Sequence, residues 1–270
     1  MRDEGGRRKA EGGRSEDKSV IGRTGARMVA CLVLFVALGV CCFPPSAFRL
    51  PPFLESLVLT LRLALTTTLL LLAMGIPLAH WLNTSRWPGA PWVQTLVALP
   101  MVLPPTVIGF YLLICFAPGH FPGSVWLRLT GRALSFSFPG LVIGSILYSL
   151  PYAVQPFQAA LRAVPSAMLE AAVATGAAPW RTFWRVHLPL ARRGLLVGAM
   201  LSFAHTVGEF GVVLMLGGSI PGETRVASIA LYDEVQKFNY PLAHAYAATL
   251  LVISGVLLSA VTFLQRDAAE

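Results

Sequence analysis

Residues 170–189 read EAAVATGAAPWRTFWRVHLP, a polar and aromatic insert between two long apolar runs. Pro165-Ser166 opens a short helix, since proline fits a first turn and serine can accept a bond from a free N–H. Residues 167–175 are rich in good helix formers, and Gly176 stands where a left-handed C-cap is wanted. Pro179 then begins a second helix, turned away from the first. On it Trp180, Phe183 and Trp184 share one face at i, i+3, i+4, with Arg181 and Arg185 stacked beside them. Aromatics flanked by arginines suit a protein–protein contact. The same residues also mark membrane interfaces, but the whole spaced pattern is more specific than the aromatics alone.

The chain around this insert is strongly apolar. Of 270 residues, 55% are hydrophobic and 13% charged, with mean hydropathy +0.66; a soluble domain carries about twice that charge. Six apolar segments stand out, at 28–43, 57–82, 96–117, 139–160, 194–217 and 241–264. Five have 22 or more residues, enough for a bilayer core at roughly 20 residues per span. The first, with 16, needs its flanks or local thinning to cross. The expectation is an all-α polytopic membrane protein with six transmembrane helices.

A net charge of +8 invites a nucleic-acid reading, but its distribution argues against one. Eight of the 21 basic residues precede position 28, and five lie in 161–193. With the N-terminus inside, inner segments hold 15 Lys and Arg, outer segments five, and Arg62 falls within a span. That is the positive-inside bias, and it puts the 170–189 insert in the cytoplasm. Arg62 is expected to snorkel toward the outer headgroups. Thr66-Thr67-Thr68 are expected to bond to neighbouring helices or to their own backbone. Cys31, Cys41, Cys42 and Cys115 all fall in apolar segments without metal spacing.

Residues 1–27 read as a disordered basic tail. Residues 28–56 read as an extra, uncleaved first helix and its outer loop, for no clean cleavage site follows. The third span carries Pro100, Pro104 and Pro105, so it should be broken and face protein or a watery cavity. Pro151 and Pro156 interrupt the fourth span, and Pro189 closes the loop before the fifth. The fifth span contains the only intramembrane acid, within Gly208-Glu209-Phe210-Gly211. So costly a group faces the bundle interior or a partner. His205 lies four residues earlier, where it can pair with Glu209; two separate hydrogen bonds to other helices are the alternative. Residues 227–238 are expected to lie along the membrane surface.

The spacing of Glu170-Ala171-Ala172, Gly176 and Leu188-Pro189 resembles the "EAA" signature of ABC-importer permeases. LPMVLPPTVIGFYLL, the GEFG run at Gly208, Glu209 and Gly211, and the outer-loop run Pro221-Gly222-Glu223-Thr224-Arg225 resemble the molybdate-type (ModB-type) permeases. Sulfate permeases share GEFG but usually not PGETR, and the family usually has arginine where this chain has His205. The resemblance covers about 57–264. It implies a MetI-like permease fold in a prokaryotic inner membrane, with 57–264 as the transmembrane domain, 161–193 as its coupling loop and 265–270 as an inner tail. Glu170, Ala171, Ala172, Gly176, Trp180, Arg181, Trp184, Arg185, Leu188 and Pro189 would form the ATPase-docking surface. Pro100, Pro104, Pro105, His205, Gly208, Glu209 and Gly211 would line or pack the pathway. The implied partners are a second copy of the chain, two cytoplasmic ATPase subunits and an external solute-binding protein. The implied cargo is molybdate, with tungstate and sulfate left open.

No catalytic machinery accompanies these features. The run at 12–19 misses a phosphate-binding loop by one residue, Asp17 standing where the second glycine belongs. ATP is therefore expected on a partner subunit, with no cofactor or metal on this chain. H-E-x-x-H and G-x-S-x-G are absent, and Glu209 with His205 is the nearest thing to a hydrolase pair. An ion-coupled secondary transporter also buries an acid, but such carriers usually show two related halves, and no repeat is visible here.

Overall fold

The computed structural model describes residues 50–266, all of them within one compact unit, and the described residues contain helices and no strand. The basic tail and the first apolar segment lie outside the described residues.

α1, Leu50–Thr84, is 35 residues long, roughly 52 Å at 1.5 Å per residue. Its inward stripe is Leu63, Thr67, Leu71, Gly75, Ala79 and Leu82, one residue every turn. Its outward face exposes Leu61, Leu65 and Leu69, the inverse of a helix facing water. The helix starts seven residues before the apolar run at 57, because Pro51-Pro52 are accepted in a first turn.

The next span is bent. α2 (Ala90–Ala98) and a tight turn at Leu99–Met101 meet α3 (Pro105–Phe116) at 110°. The prolines at 100, 104 and 105 withdraw three donors within six positions. The break is not enclosed by this chain, for Val102 is 83% exposed. A short helix α4, Gly123–Thr130, follows, ended by Gly131 at φ +70°.

α5, Phe138–Arg162, is the central post, packed between α1 and α8 (Leu188–Val207). Ser137 caps it by accepting from Gly140 N at 3.3 Å. Pro151 and Pro156 do not interrupt it, contrary to expectation. Close packing on both sides holds the helix where the ladder bonds are missing. The Phe157 ring fills the space left by two glycines. A Cβ on Gly75 of α1 would lie 3.2 Å from it, and one on Gly198 of α8 2.7 Å.

α6 (Ser166–Ala174) and α7 (Pro179–Thr182) form a knuckle, and a π-helical turn at Phe183–His187 joins α7 to α8. Pro189 therefore does not end a loop; it sits inside a helical run. The wider turn, with Leu188 N bonded to Phe183 O, accommodates the donor that the proline lacks. Beyond Val207 the chain breaks at Gly208–Phe210 and resumes as α9, Gly211–Gly217, bent by 58°. α10 (Ala227–Gln236) and α11 (Tyr240–Arg266) complete the described fold. One face of α10 is held by the bundle, with Ala227, Ile229 and Ala230 fully buried against neighbouring helices, while Tyr232 and Val235 stay exposed. Among the described residues three helices are thus long and apolar enough to cross a membrane, or up to five if each bent pair is one span.

Candidate functional site

Two regions gather most of the residues singled out by sequence. The first is the knuckle. Pro165, not Ser166, occupies the N-cap of α6, and no side chain caps it. At the other end Gly176 has φ +80°; its N–H bonds to Val173 O at 2.9 Å, and Ala177 N to Ala172 O at 3.3 Å. That paired arrangement is a Schellman closure, which a left-handed glycine permits. No residue of α6 is buried. Glu170 and Ala171 are exposed, and so are Arg181, Arg185 and Pro189.

Trp180 and Trp184 stack edge to face at 5.2 Å and remain 69% and 49% exposed. Phe183 departs from their face and turns inward, 4.5 Å from the His80 ring. So the helical face proposed from spacing splits, because the π turn rotates its far end. Large tryptophans left open beside arginines form an apolar patch of the kind that marks a protein contact.

The knuckle is tied to the bundle by contacts that sequence spacing did not reveal. His187 Nε2 lies 3.0 Å from Leu161 O, and its ring meets His80 edge to face at 5.5 Å. Asn83 joins α1 to α5, donating to Gln158 O at 3.0 Å and accepting from Arg162 Nε at 2.8 Å. The π turn is thus joined to α5 through His187 and to α1 through the rings on His80.

The second region is a cavity of about 470 Å³ where the two broken spans meet. Pro105, Thr106, Tyr148, Ala204, His205, Gly208, Glu209, Phe210, Gly211 and Leu214 line it. Gly208 caps α8 with φ −87° and ψ 0°, and Glu209 then leaves the helix. The expected ion pair between His205 and Glu209 is absent. Its i,i+4 geometry needs a helix through both residues, and α8 ends at Val207. His205 instead places Nδ1 2.9 Å from Ser149 Oγ, stacks on Tyr152 at 3.8 Å and packs on Tyr148 at 4.8 Å. Glu209 is 3% exposed, its carboxyl facing the buried Ser145 hydroxyl of α5, while its carbonyl accepts from Ser228 Oγ at 2.6 Å. Thr67 and Thr68 are buried with unpaired hydroxyls, against expectation. Arg62 lies over the Phe138 ring at 4.8 Å.

The Pro221–Arg225 run builds structure rather than a cavity. Gly222 turns at φ +77° beside Glu55, and Thr224 is fully buried, donating to Gly217 O at 2.6 Å. Pro221 and Glu223 are exposed. Arg225 reaches Asp233 at 3.1 Å and Glu234 at 3.2 Å. Burial raises the Glu234 carboxyl, but bonds from Lys237 and Asn239, with the charges of Lys237 and Arg225, outweigh it and leave it below the usual range. Among the described residues no group of three potential metal ligands occurs.

Residues 71–269 match the family model described as the binding-protein-dependent transport system inner membrane component. Over 209 residues the chain is 47% identical to the molybdenum transport system permease protein ModB of Azotobacter vinelandii, covering 77% of this chain and 92% of that protein. It is 31% identical over 215 residues to the sulfate transport system permease protein CysT of Escherichia coli (strain K12), covering 80% and 77%. Among solved structures, a bacterial ABC transporter involved in import of the acidic polysaccharide alginate matches with TM-score 0.69. It is 19% identical and covers 97% of this chain and all of that one, which shows the fold alone.

Proposed function

The chain belongs to the binding-protein-dependent inner membrane transport components, and from that premise we propose that it is the permease subunit of an ATP-driven importer of molybdate. It is a multi-pass inner-membrane protein of the ABC permease family. In this reading it crosses the membrane six times with its N-terminus inside and pairs with a second copy. Two cytoplasmic ATPase subunits supply ATP chemistry, so the chain itself is no enzyme and needs no cofactor. An external solute-binding protein delivers the anion.

The observation that carries the reading is the knuckle. Two exposed tryptophans and two arginines stand beside an unburied helix, and the adjoining turn reaches α5 through His187 on Leu161 O and α1 through Phe183 on His80. ATP closes the ATPase pair, the knuckle at Glu170–Gly176 moves with it, and the bundle rocks from inward- to outward-facing. The broken spans then admit the anion, and hydrolysis resets them. Higher identity to the molybdenum permease than to the sulfate permease supports molybdate as cargo.

Competitive uptake tests the choice of anion. With the cognate binding protein, molybdate and tungstate are expected to compete at similar concentrations and sulfate only in large excess. Uptake of sulfate in preference to molybdate would reassign the chain to sulfate transport.

A further inference from the structure

Resting on the oxyanion-permease reading, we propose that His205 contacts the transported oxyanion in the cavity between the broken spans, and that its ring carries a second proton when it does so.

Counting hydrogens decides which ring nitrogen is free. Thr206 has one hydroxyl hydrogen and spends it on Ser202 O, 3.0 Å away. The 3.0 Å contact between Ser149 Oγ and Thr206 Oγ1 then takes its hydrogen from Ser149. Ser149 has only lone pairs left for His205 Nδ1 at 2.9 Å, so Nδ1 is the donor. Nε2 remains, on a ring that lines the cavity. In a neutral ring of this tautomer Nε2 is an acceptor, and an oxyanion also offers only lone pairs. The ring can donate to the anion only after Nε2 takes a proton from the water of the cavity.

Tyr152 stacks on the ring at 3.8 Å and 21°, and Tyr148 packs at 4.8 Å; aromatic faces attract a cation. His205 belongs to none of the ion pairs among the described residues. The titratable groups on the elements packed against α8 are Tyr148, Tyr152 and Arg162 on α5; Glu55, Arg62 and His80 on α1; Tyr240, His244, Tyr246 and Arg266 on α11; and Arg185 and His187 on the π turn. Glu209 lines the same cavity but lies beyond the end of α8. An imidazolium outside those ion pairs is a group that an entering anion can neutralise, with Glu209 the acid that lines the same cavity. At about 470 Å³ the cavity is many times the ~30 Å³ share of one water, which leaves room for an oxyanion with part of its hydration shell.

The test is the number of molybdate ions moved per ATP hydrolysed, measured in liposomes holding the whole transporter, from about pH 6 to about pH 8. Dividing by hydrolysis removes the pH response of the ATPase. For the parent this ratio is expected to fall roughly a hundredfold across those two pH units, tenfold per unit for one proton taken up per anion bound. His205→Arg should hold the ratio constant. His205→Gln, which keeps a donor without a charge, should be constant at the low level and decides the matter if the arginine variant fails to assemble. Parent and variants sharing one pH profile would overturn the role of His205 while leaving the permease reading intact. Absence of ATP-dependent uptake of molybdate, tungstate and sulfate by the parent would overturn both.

Discussion

Gly211 is seated against Pro105: a Cβ on the glycine would fall 2.9 Å from the proline Cβ and 3.4 Å from Thr106 N. The two sequence motifs that break their spans are thus one packed seam. Gly109 continues it, for a Cβ there would lie 2.7 Å from Met215 Cβ. Gly211→Val should overpack the seam at a cost of about 1–3 kcal/mol. The expected outcome is a lower folded yield by size-exclusion chromatography, with reduced transport by what remains. A variant that matches the parent in both would show that the half-helices are free to separate.

Gly176 behaves differently, because nothing lies within 4 Å of a Cβ placed there. A side chain meets no neighbour, and only the φ of +80° penalises it. Gly176→Val should therefore cost about 1–2 kcal/mol of local strain, and Gly176→Asn less. The chain should insert normally, while pull-down of the ATPase subunit weakens for valine and survives for asparagine. Equal loss from both variants would point to contact at the glycine itself rather than to the turn.

The missing pair between His205 and Glu209 can be checked by a double-mutant cycle. Without a shared ion pair, His205→Ala and Glu209→Gln should add in their effects on thermal stability to within about 0.5 kcal/mol. A larger coupling energy would restore the pair.

Glu234 gives a pH signature. Its carboxyl is held below the usual range, so the unfolded chain takes up that proton at a higher pH than the folded one. The stabilisation is complete above the ordinary glutamate value of about 4.3 and is lost as pH falls through the lowered folded value. Melting of the parent and Glu234→Gln should differ most near pH 7 and converge in acid, below about pH 4. A difference that grew toward acid would mean that the carboxylate is not stabilised by Arg225, Lys237 and Asn239.

Proline and glycine made the backbone legible. The prolines at 100, 104 and 105 located one break, and the left-handed turn at Gly176 follows from a helix ending at a residue free to take a positive φ. The same reasoning failed at Pro151, Pro156 and Pro189, where packing or a π turn absorbed the lost donor. Contacts across helices were the illegible part. Ser149 and His205 are 56 positions apart, so no local period links them. The pair inferred for His205 assumed a helix through Glu209, although the motif containing both glycines is where that helix ends.

In the function proposed for it, this chain moves an oxyanion only when driven by separate ATPase subunits. The direct measurement is uptake of labelled molybdate into liposomes holding the chain, with and without its ATPase subunits, the binding protein and enclosed ATP. Uptake is expected only with all of them present, and it should stop when ATP is replaced by a non-hydrolysable analogue. Uptake that persists without the ATPase subunits and follows an imposed proton or sodium gradient would contradict the account.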